Sequence, residues 1–242
     1  MSKQVFSNGL VRLGGYDLTA DVNAIALAEG ADALDNTNLA STNHTYQPGL
    51  KTVKCSVSGF WDTANDAYLS ADLTLTDVIT LALSQAEGAV TYFMKSVQAQ
   101  YKTIADGVGK LATMALTFNA AGSLTRGQVL ANKTGISATG TGTAFQLGAA
   151  TATQSLFASL HVTNITGTGV TLTGTIESDS ANNFPSPVTV ATFTDVTDVT
   201  GVEAQFQAIA GANTDTWYRF KYTIAGTGTF DFTAAAGIAS TH

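Results

Sequence analysis

Between Pro48 and Asp62 the chain spells out one strand in full. Val53, Cys55 and Val57 face one way, and Thr52, Lys54, Ser56 and Ser58 face the other. Such alternation describes an antiparallel strand with one face on a core and the other in water. Pro48-Gly49 opens it with a turn signal, and the pair Phe60-Trp61 closes it after Gly59. Before it, Asp35 to Gln47 is Asn, Thr, Ser and His with little apolar material. A loop of thirteen residues is longer than most connections inside a compact domain, and loops of that length tend to be functional or mobile.

The same period recurs along the chain. Leu10–Leu13, Tyr16–Leu18, Ala24–Glu29, Ala89–Lys95, Val97–Ile104 and Lys110–Phe118 read as strands, Val78–Leu83 is apolar and reads as either strand or helix, and Asp32–Leu34 is expected to continue Ala24–Glu29 across Gly30. Ala64, Ala67, Tyr68 and Ala71 have helical spacing and predict one short helix over Ala64–Asp72. Arg126-Gly127-Gln128-Val129-Leu130 ends a first unit. Residues 131–143, rich in Asn, Lys, Thr, Gly, Ser and Ala, read as a linker. The division expected is 1–132, a linker at 133–143, and 144–242. In the second unit strands are predicted near Ala144–Leu147, Ser155–Asn164, Gly169–Ser178, Val188–Thr194, Gly201–Ala208, Thr216–Ile224 and Gly228–Ala235. The three Gly-Thr-Gly triplets at 140–142, 167–169 and 226–228 are expected as turns. The fold class expected is mainly β: a β-sandwich or barrel with a short helix and a long loop, followed by a C-terminal β-sandwich.

Composition narrows function more than it names it. Charged residues are 12% of the chain and hydrophobic residues 45%, so a core can form while the surface carries about half the usual charge. Charges are depleted where subunits meet. Residues 1–130 hold 8 Lys and Arg against 11 Asp and Glu, and residues 131–242 hold 3 against 7. With no basic run, tight electrostatic binding of nucleic acid is not expected. The single cysteine, Cys55, allows no internal disulfide and reads as a small strand side chain. Met1–Phe6 lacks the apolar stretch of an export signal, and no run is long enough to cross a bilayer as a helix, so no membrane partner is expected.

Catalytic patterns are sparse. His44, His161 and His242 have no zinc-ligand spacing. Gly107-Val108-Gly109-Lys110 lacks the order of a phosphate loop and reads as a hairpin turn. The acid pairs Asp17/Asp21, Asp32/Asp35 and Asp195/Asp198 sit beside turns, where Asp bonds its own backbone. Glu177, Asp179 and Asn182 offer oxygens of the kind calcium takes, without EF-hand spacing. No catalytic, cofactor or metal residue is assigned, and the chain is read as a non-enzyme.

Several motifs in order carry a resemblance. Ala31-Asp32-Ala33-Leu34-Asp35, Pro48-Gly49-Leu50-Lys51, Ser58-Gly59-Phe60-Trp61-Asp62 and Arg126-Gly127-Gln128-Val129-Leu130 resemble the major tail tube proteins of long non-contractile bacteriophage tails. Thr216-Trp217-Tyr218-Arg219 and Gly228-Thr229-Phe230 are similar to the extra β-domain of some members. The resemblance implies a structural virion protein, assembled in the host cytoplasm, that stacks as homohexameric rings around a channel for DNA ejection. It implies tape measure, tail terminator and distal tail proteins as partners. About four strands from each of six copies would close a barrel ~48 Å across at the backbone, through which DNA slides past inward charges expected to be mainly acidic. The subunit interface it implies runs through Asp35, Asn36, Asn38, His44, Tyr46, Pro48, Leu50, Phe60 and Trp61. The alternative is a carbohydrate-binding β-sandwich adhesin or surface module, with Trp217 and Tyr218 as the surface aromatics. A hydrolase on a β-scaffold would need a cluster of perturbed acids in a cleft.

Overall fold

The fold was obtained as a computed structural model that describes residues 8–40, 42–103 and 107–240. The Met1–Phe6 segment, Ser41, Ile104 and His242 lie outside the described residues. Strands β1 (Leu10–Leu13) and β2 (Tyr16–Asp17) form a tight hairpin. β3 (Val22–Asp35) and β4 (Tyr46–Phe60) form a long one. Helix α1 (Thr63–Ala71) follows, then β5 (Thr76–Ala82), β6 (Val90–Lys102), β7 (Thr113–Ala120) and β8 (Thr125–Ile136). The second half holds β9 (Gly140–Thr141), β10 (Phe145–Gln146), β11 (Gln154–Asp179), β12 (Val188–Thr192), β13 (Val196–Thr197), β14 (Glu203–Ala210) and β15 (Trp217–Ser240). The chain is mainly β, as its alternation predicts, with one helix among the described residues.

The strands join into one hydrogen-bonded network whose longest path runs β12-β11-β15-β8-β6-β5-β1-β2 and does not close. β6 is the junction. Its first half pairs with β5 and β8, and its second half pairs with β5 and β7, which continues to β4 and β3. The sheet therefore folds over at β6 into two layers. Val53, Cys55 and Val57 of β4 and Met114, Leu116 and Phe118 of β7 pack against Val11, Leu13, Ile79, Leu81 and Met94 of the facing strands. Cys55 is fully buried there, as its alternation predicts, and burial pushes its thiol up to about 12. Helix α1 caps this core with Leu69, and Gln98 Nε2 donates to the Leu69 carbonyl at 2.5 Å. Its N-cap is Asp62, which accepts from the Ala64 N–H at 3.1 Å.

Two expected turns are strand interiors. Gly167-Thr168-Gly169 and Gly226-Thr227-Gly228 lie opposite one another in the middle of β11 and β15, with Gly167 paired to Gly228 and a register shift between Thr168 and Thr171. Gly167, Gly169 and Gly226 have φ of +100°, +65° and +85°. The glycines make a bend, as in a bulge, where alternation alone suggested a chain reversal. Each long strand thus contributes to two layers, and a second core forms between its own halves. Leu160 and Val162 meet Leu172, Phe220, Tyr222 and Phe232 there, and the Tyr222 and Phe232 rings are 5.0 Å apart edge-to-face.

The stretch expected as a linker also differs in part. Asn132 to Ile136 complete β8 and pair with β15. Their polar side chains looked solvent-bound in sequence but are engaged. Asn132 donates to the Gln85 carbonyl at 2.9 Å and accepts from Thr233 at 2.8 Å, and Lys133 meets Glu87 at 2.8 Å.

Between the two cores lies a buried polar seam. His161 on β11 is fully buried, with Nδ1 2.8 Å from the Gly14 carbonyl and Nε2 2.7 Å from the Thr80 hydroxyl. A carbonyl only accepts, so Nδ1 carries the proton, Nε2 accepts from Thr80, and Thr80 is left to accept from Ser159 at 3.1 Å. Arg12 donates to Thr233 at 3.1 Å and pairs with Asp17. Burial, outweighing the Gly14 hydrogen bond and reinforced by the Arg12 charge, pushes His161 down to about 4.

Two predictions follow from these positions. An unfolded His161 titrates near 6.5 and the folded one near 4, so the unfolded chain binds the extra proton between those values. The contribution of neutral His161 is intact above pH 6.5 and is lost as pH falls toward 4, to the extent of about 3 kcal/mol. Urea unfolding of wild type and His161→Gln should show a stability gap that narrows across this window; a gap independent of pH would contradict it. In the bend, a Cβ at Gly167 would strike the Thr227 carbonyl, whereas one at Gly169 meets nothing within 4 Å. Gly169→Ala should cost about 1–2 kcal/mol for its left-handed backbone, and Gly167→Ala distinctly more. Equal losses in thermal unfolding would refute that difference.

Candidate self-association surface

The expected interface residues fall on one feature, the β3–β4 hairpin. Near its base it belongs to the sheet: Ile25 and Leu27 pack on the first core, and β4 pairs with β7 from Lys54 to Phe60. From Ala28 outward on β3, and from Thr52 back to Tyr46 on β4, nearly every residue is exposed on both faces. The strands continue farther than expected, so the loop between them is only Asn36 to Thr45. The ladder reaches Asp35 opposite Tyr46, with an irregularity between Ala31 and Ala33. The eight residues from Ala28 to Asp35 extend about 26 Å at the usual strand rise. This arm leaves Leu50 81%, Tyr46 60% and Leu34 57% exposed, with Leu39 fully exposed at its tip.

The tip is organised by its own polar groups. Asp35 Oδ1 accepts from the Thr37 N–H at 2.9 Å and from the Thr37 hydroxyl, and His44 Nδ1 lies 3.0 Å from Asp35 Oδ2. The Thr37 hydrogen bonds hold the Asp35 carboxyl below the usual range. Asn36 N–H donates to the Thr45 carbonyl at 2.9 Å, and Asn38 accepts from the Ala40 N–H at 2.9 Å. The His44 ring stacks beside Tyr46 at 6.2 Å. These bonds fix the tip's shape and leave its apolar side chains in water.

At the other end of β4, each motif residue has a local role. A Cβ at Gly59 would strike the Asp21 carbonyl, which accepts from the Phe60 N–H at 2.8 Å. Phe60 is 42% exposed. Trp61 is half-buried and its indole N–H donates to Asp66 at 2.9 Å. Pro48 lies on the exposed arm opposite Ala33. Asp35, Asn36, Asn38, His44, Tyr46, Pro48 and Leu50 therefore cluster along the arm, while Phe60 and Trp61 sit at its root.

β3 adds a second property that residue types alone did not reveal. It pairs with β4 alone, so its outer backbone edge, fourteen residues long, is open among the described residues. Beside that edge Ile25 and Leu27 face Leu81, Leu83 and Tyr92 across an apolar groove of about 480 Å³.

Other expectations are corrected. Tyr218 is no surface aromatic: it is fully buried in the second core, its hydroxyl donates to the Asp215 carbonyl at 3.3 Å, and burial pushes it up to about 12. Its place in alternation, between half-buried Trp217 and Arg219, turns it inward. The calcium reading near Glu177 and Asp179 also fails, because both carboxylates are occupied. Glu177 receives Arg219 at 2.7 Å and Lys221 at 3.0 Å, and Asp179 accepts from the N–H groups of Ala181 and Ser186 at 3.0 and 2.8 Å. Asp195 accepts from Thr173, Asp198 from the Gly169 N–H, and Asp21 from Asn65. Among the described residues, no group of three or more His, Cys, Asp or Glu is placed to hold a metal ion.

No protein-family model matches the chain, and no curated protein matches it. Solved structures share partial likeness. A protein from the virion of a native gene transfer agent particle is 18% identical with a TM-score of 0.42, covering 51% of this chain and 98% of its own. The SPP1 tail tube protein is 9% identical with a TM-score of 0.38, covering 48% and 76%. The SPP1 Dit protein, described as a paradigm of the hub adsorption apparatus in phages that infect Gram-positive bacteria, is 10% identical with a TM-score of 0.36, covering 96% and 100%. Likeness at this level assigns no function.

Proposed function

We propose that the chain is a structural subunit of a phage-type tail tube, which associates with copies of itself through β3 and the arm. The observation that carries this reading is the arm itself. A two-stranded ribbon with water on both faces is marginal on its own, and this one exposes leucines and a tyrosine along its length. A long open edge strand is a template for pairing with another chain. The weak charge of the whole chain, 12%, suits a surface that other subunits cover.

In this reading six copies close a ring through the β3 edges, rings stack with the arm reaching the next copy, and DNA passes through the lumen. Residues 1–132 form the tube-building unit and 144–242 an outer β-domain, joined across the His161 seam and by β8. Most of the first core falls within 1–132 and most of the second within 144–242, while Leu130 and Ala131 of β8 belong to the second core and Phe93 meets Phe157 and Ala235 across the boundary. The tape measure, terminator and distal tail proteins would meet the ends of such a tube. A carbohydrate-binding module is the weaker reading, since Tyr218, one of its two aromatics, lies in the core.

Removing the arm tests the proposal. Residues 31–51 can be replaced by Asn-Gly, which joins the paired residues Gly30 and Thr52 by a tight turn. The excised segment lies outside both cores, so the melting temperature should change by only a few degrees. Negative-stain images of the intact protein should show stacked rings or tubes, and the shortened protein, which keeps the β3 edge only from Val22 to Gly30, should form no tubes. Tubes formed equally well without the arm, or an intact chain monomeric at every concentration, would overturn it.

A further inference from the structure

We infer that the recess formed by Trp61, Asp66, Ser70, Leu73, Tyr101 and Thr103 receives the cationic end of a Lys or Arg side chain from another polypeptide. The recess has a volume of about 380 Å³ and lies where the root of β4, helix α1 and the end of β6 converge. The indole N–H of Trp61 and the hydroxyl of Tyr101 both donate to the same oxygen, Asp66 Oδ1, at 2.9 and 2.6 Å. Both aromatic donors are thereby used, and what the pair offers a ligand is ring surface and the accepting oxygen of Tyr101. Asp66 Oδ2 has no hydrogen-bond partner among the described residues, and Leu73 adds an apolar wall that is 43% exposed.

Rings beside a carboxylate with a spare oxygen form a site for a cation, which gains from the ring faces and from a charge-assisted hydrogen bond. The field around the recess has the matching sign. Helix α1, which carries Asp66, is capped by Asp62 and Asp72 and holds no Lys or Arg. Lys102 follows Tyr101 on β6, and strand alternation directs it to the opposite face. The hydrogen bonds from Tyr101 and Trp61 hold the Asp66 carboxyl below the usual range, so it stays ionised near neutrality. A neutral sugar could also lie on the rings, but it would make no use of that charge.

The test uses the full chain with Trp217→Phe, which leaves Trp61 as the sole indole. Its emission is followed while Nα-acetyl-arginine amide or methyl β-glucopyranoside is added. The cation should give a saturable change that weakens with salt, and the sugar none. Asp66→Asn keeps an oxygen for the Trp61 and Tyr101 bonds but removes the charge, and should weaken cation binding at least about tenfold with the melting temperature held. No saturable change with the cation, a response to the sugar instead, or undiminished binding in Asp66→Asn would each overturn the inference.

Discussion

Backbone pairing at β6 sets the architecture on which everything else depends. One strand hydrogen-bonds to β5 along one edge and divides its other edge between β8 and β7. That division turns a single network into stacked layers, placing the first core on one side and leading through β8 into β15 on the other. Because β7 carries β4, and β4 carries β3, the arm is held at its root by the same junction. The arm needs no core of its own: its outer half is anchored by strands whose inner halves are buried.

The distribution of polar groups follows the same logic. Beside the apolar contact of Phe93 with Phe157 and Phe206, Ser159, Thr80, His161 and the Gly14 carbonyl form one hydrogen-bonded chain and Arg12 donates to Thr233 in another, and such pairing is the condition under which burying polar groups is tolerated. Acids that might have suggested catalysis instead hold loops and partners: Asp62 caps α1, Asp35 shapes the arm tip, and Asp179 gathers the loop from Ala181 to Ser186. The chain spends its few charges on its own geometry, and the largest unsatisfied features left over are an open strand edge and exposed leucines.

Much of the fold was legible in sequence because period-two alternation reports one buried face directly. Val53, Cys55 and Val57 point inward as read, and α1 lies within a residue of its expected bounds. What escaped were features decided by distant partners. Gly167-Thr168-Gly169 looks like a turn locally, and only its pairing with Gly226-Thr227-Gly228 makes it a bend in a continuous strand. Asn132 and Lys133 look like linker until Gln85, Thr233 and Glu87 arrive to bond them. Of the expected interface residues, Asp35 to Leu50 lie together along the arm while Phe60 and Trp61 lie at its root, but the open edge of β3 has no sequence signature, since it is defined by a strand that is not there. Tyr218 was misplaced because its neighbour Trp217 drew the pair outward together.

The central claim is that the β3 edge and its arm join copies of this chain. Amide hydrogen exchange along Val22–Asp35, compared between dilute protein and protein at assembling concentration, tests it most directly. The account predicts that amides on the open side of β3 exchange quickly when dilute and gain strong protection on assembly. Assembly that leaves β3 exchanging as before, with protection appearing only on other strands, would contradict it.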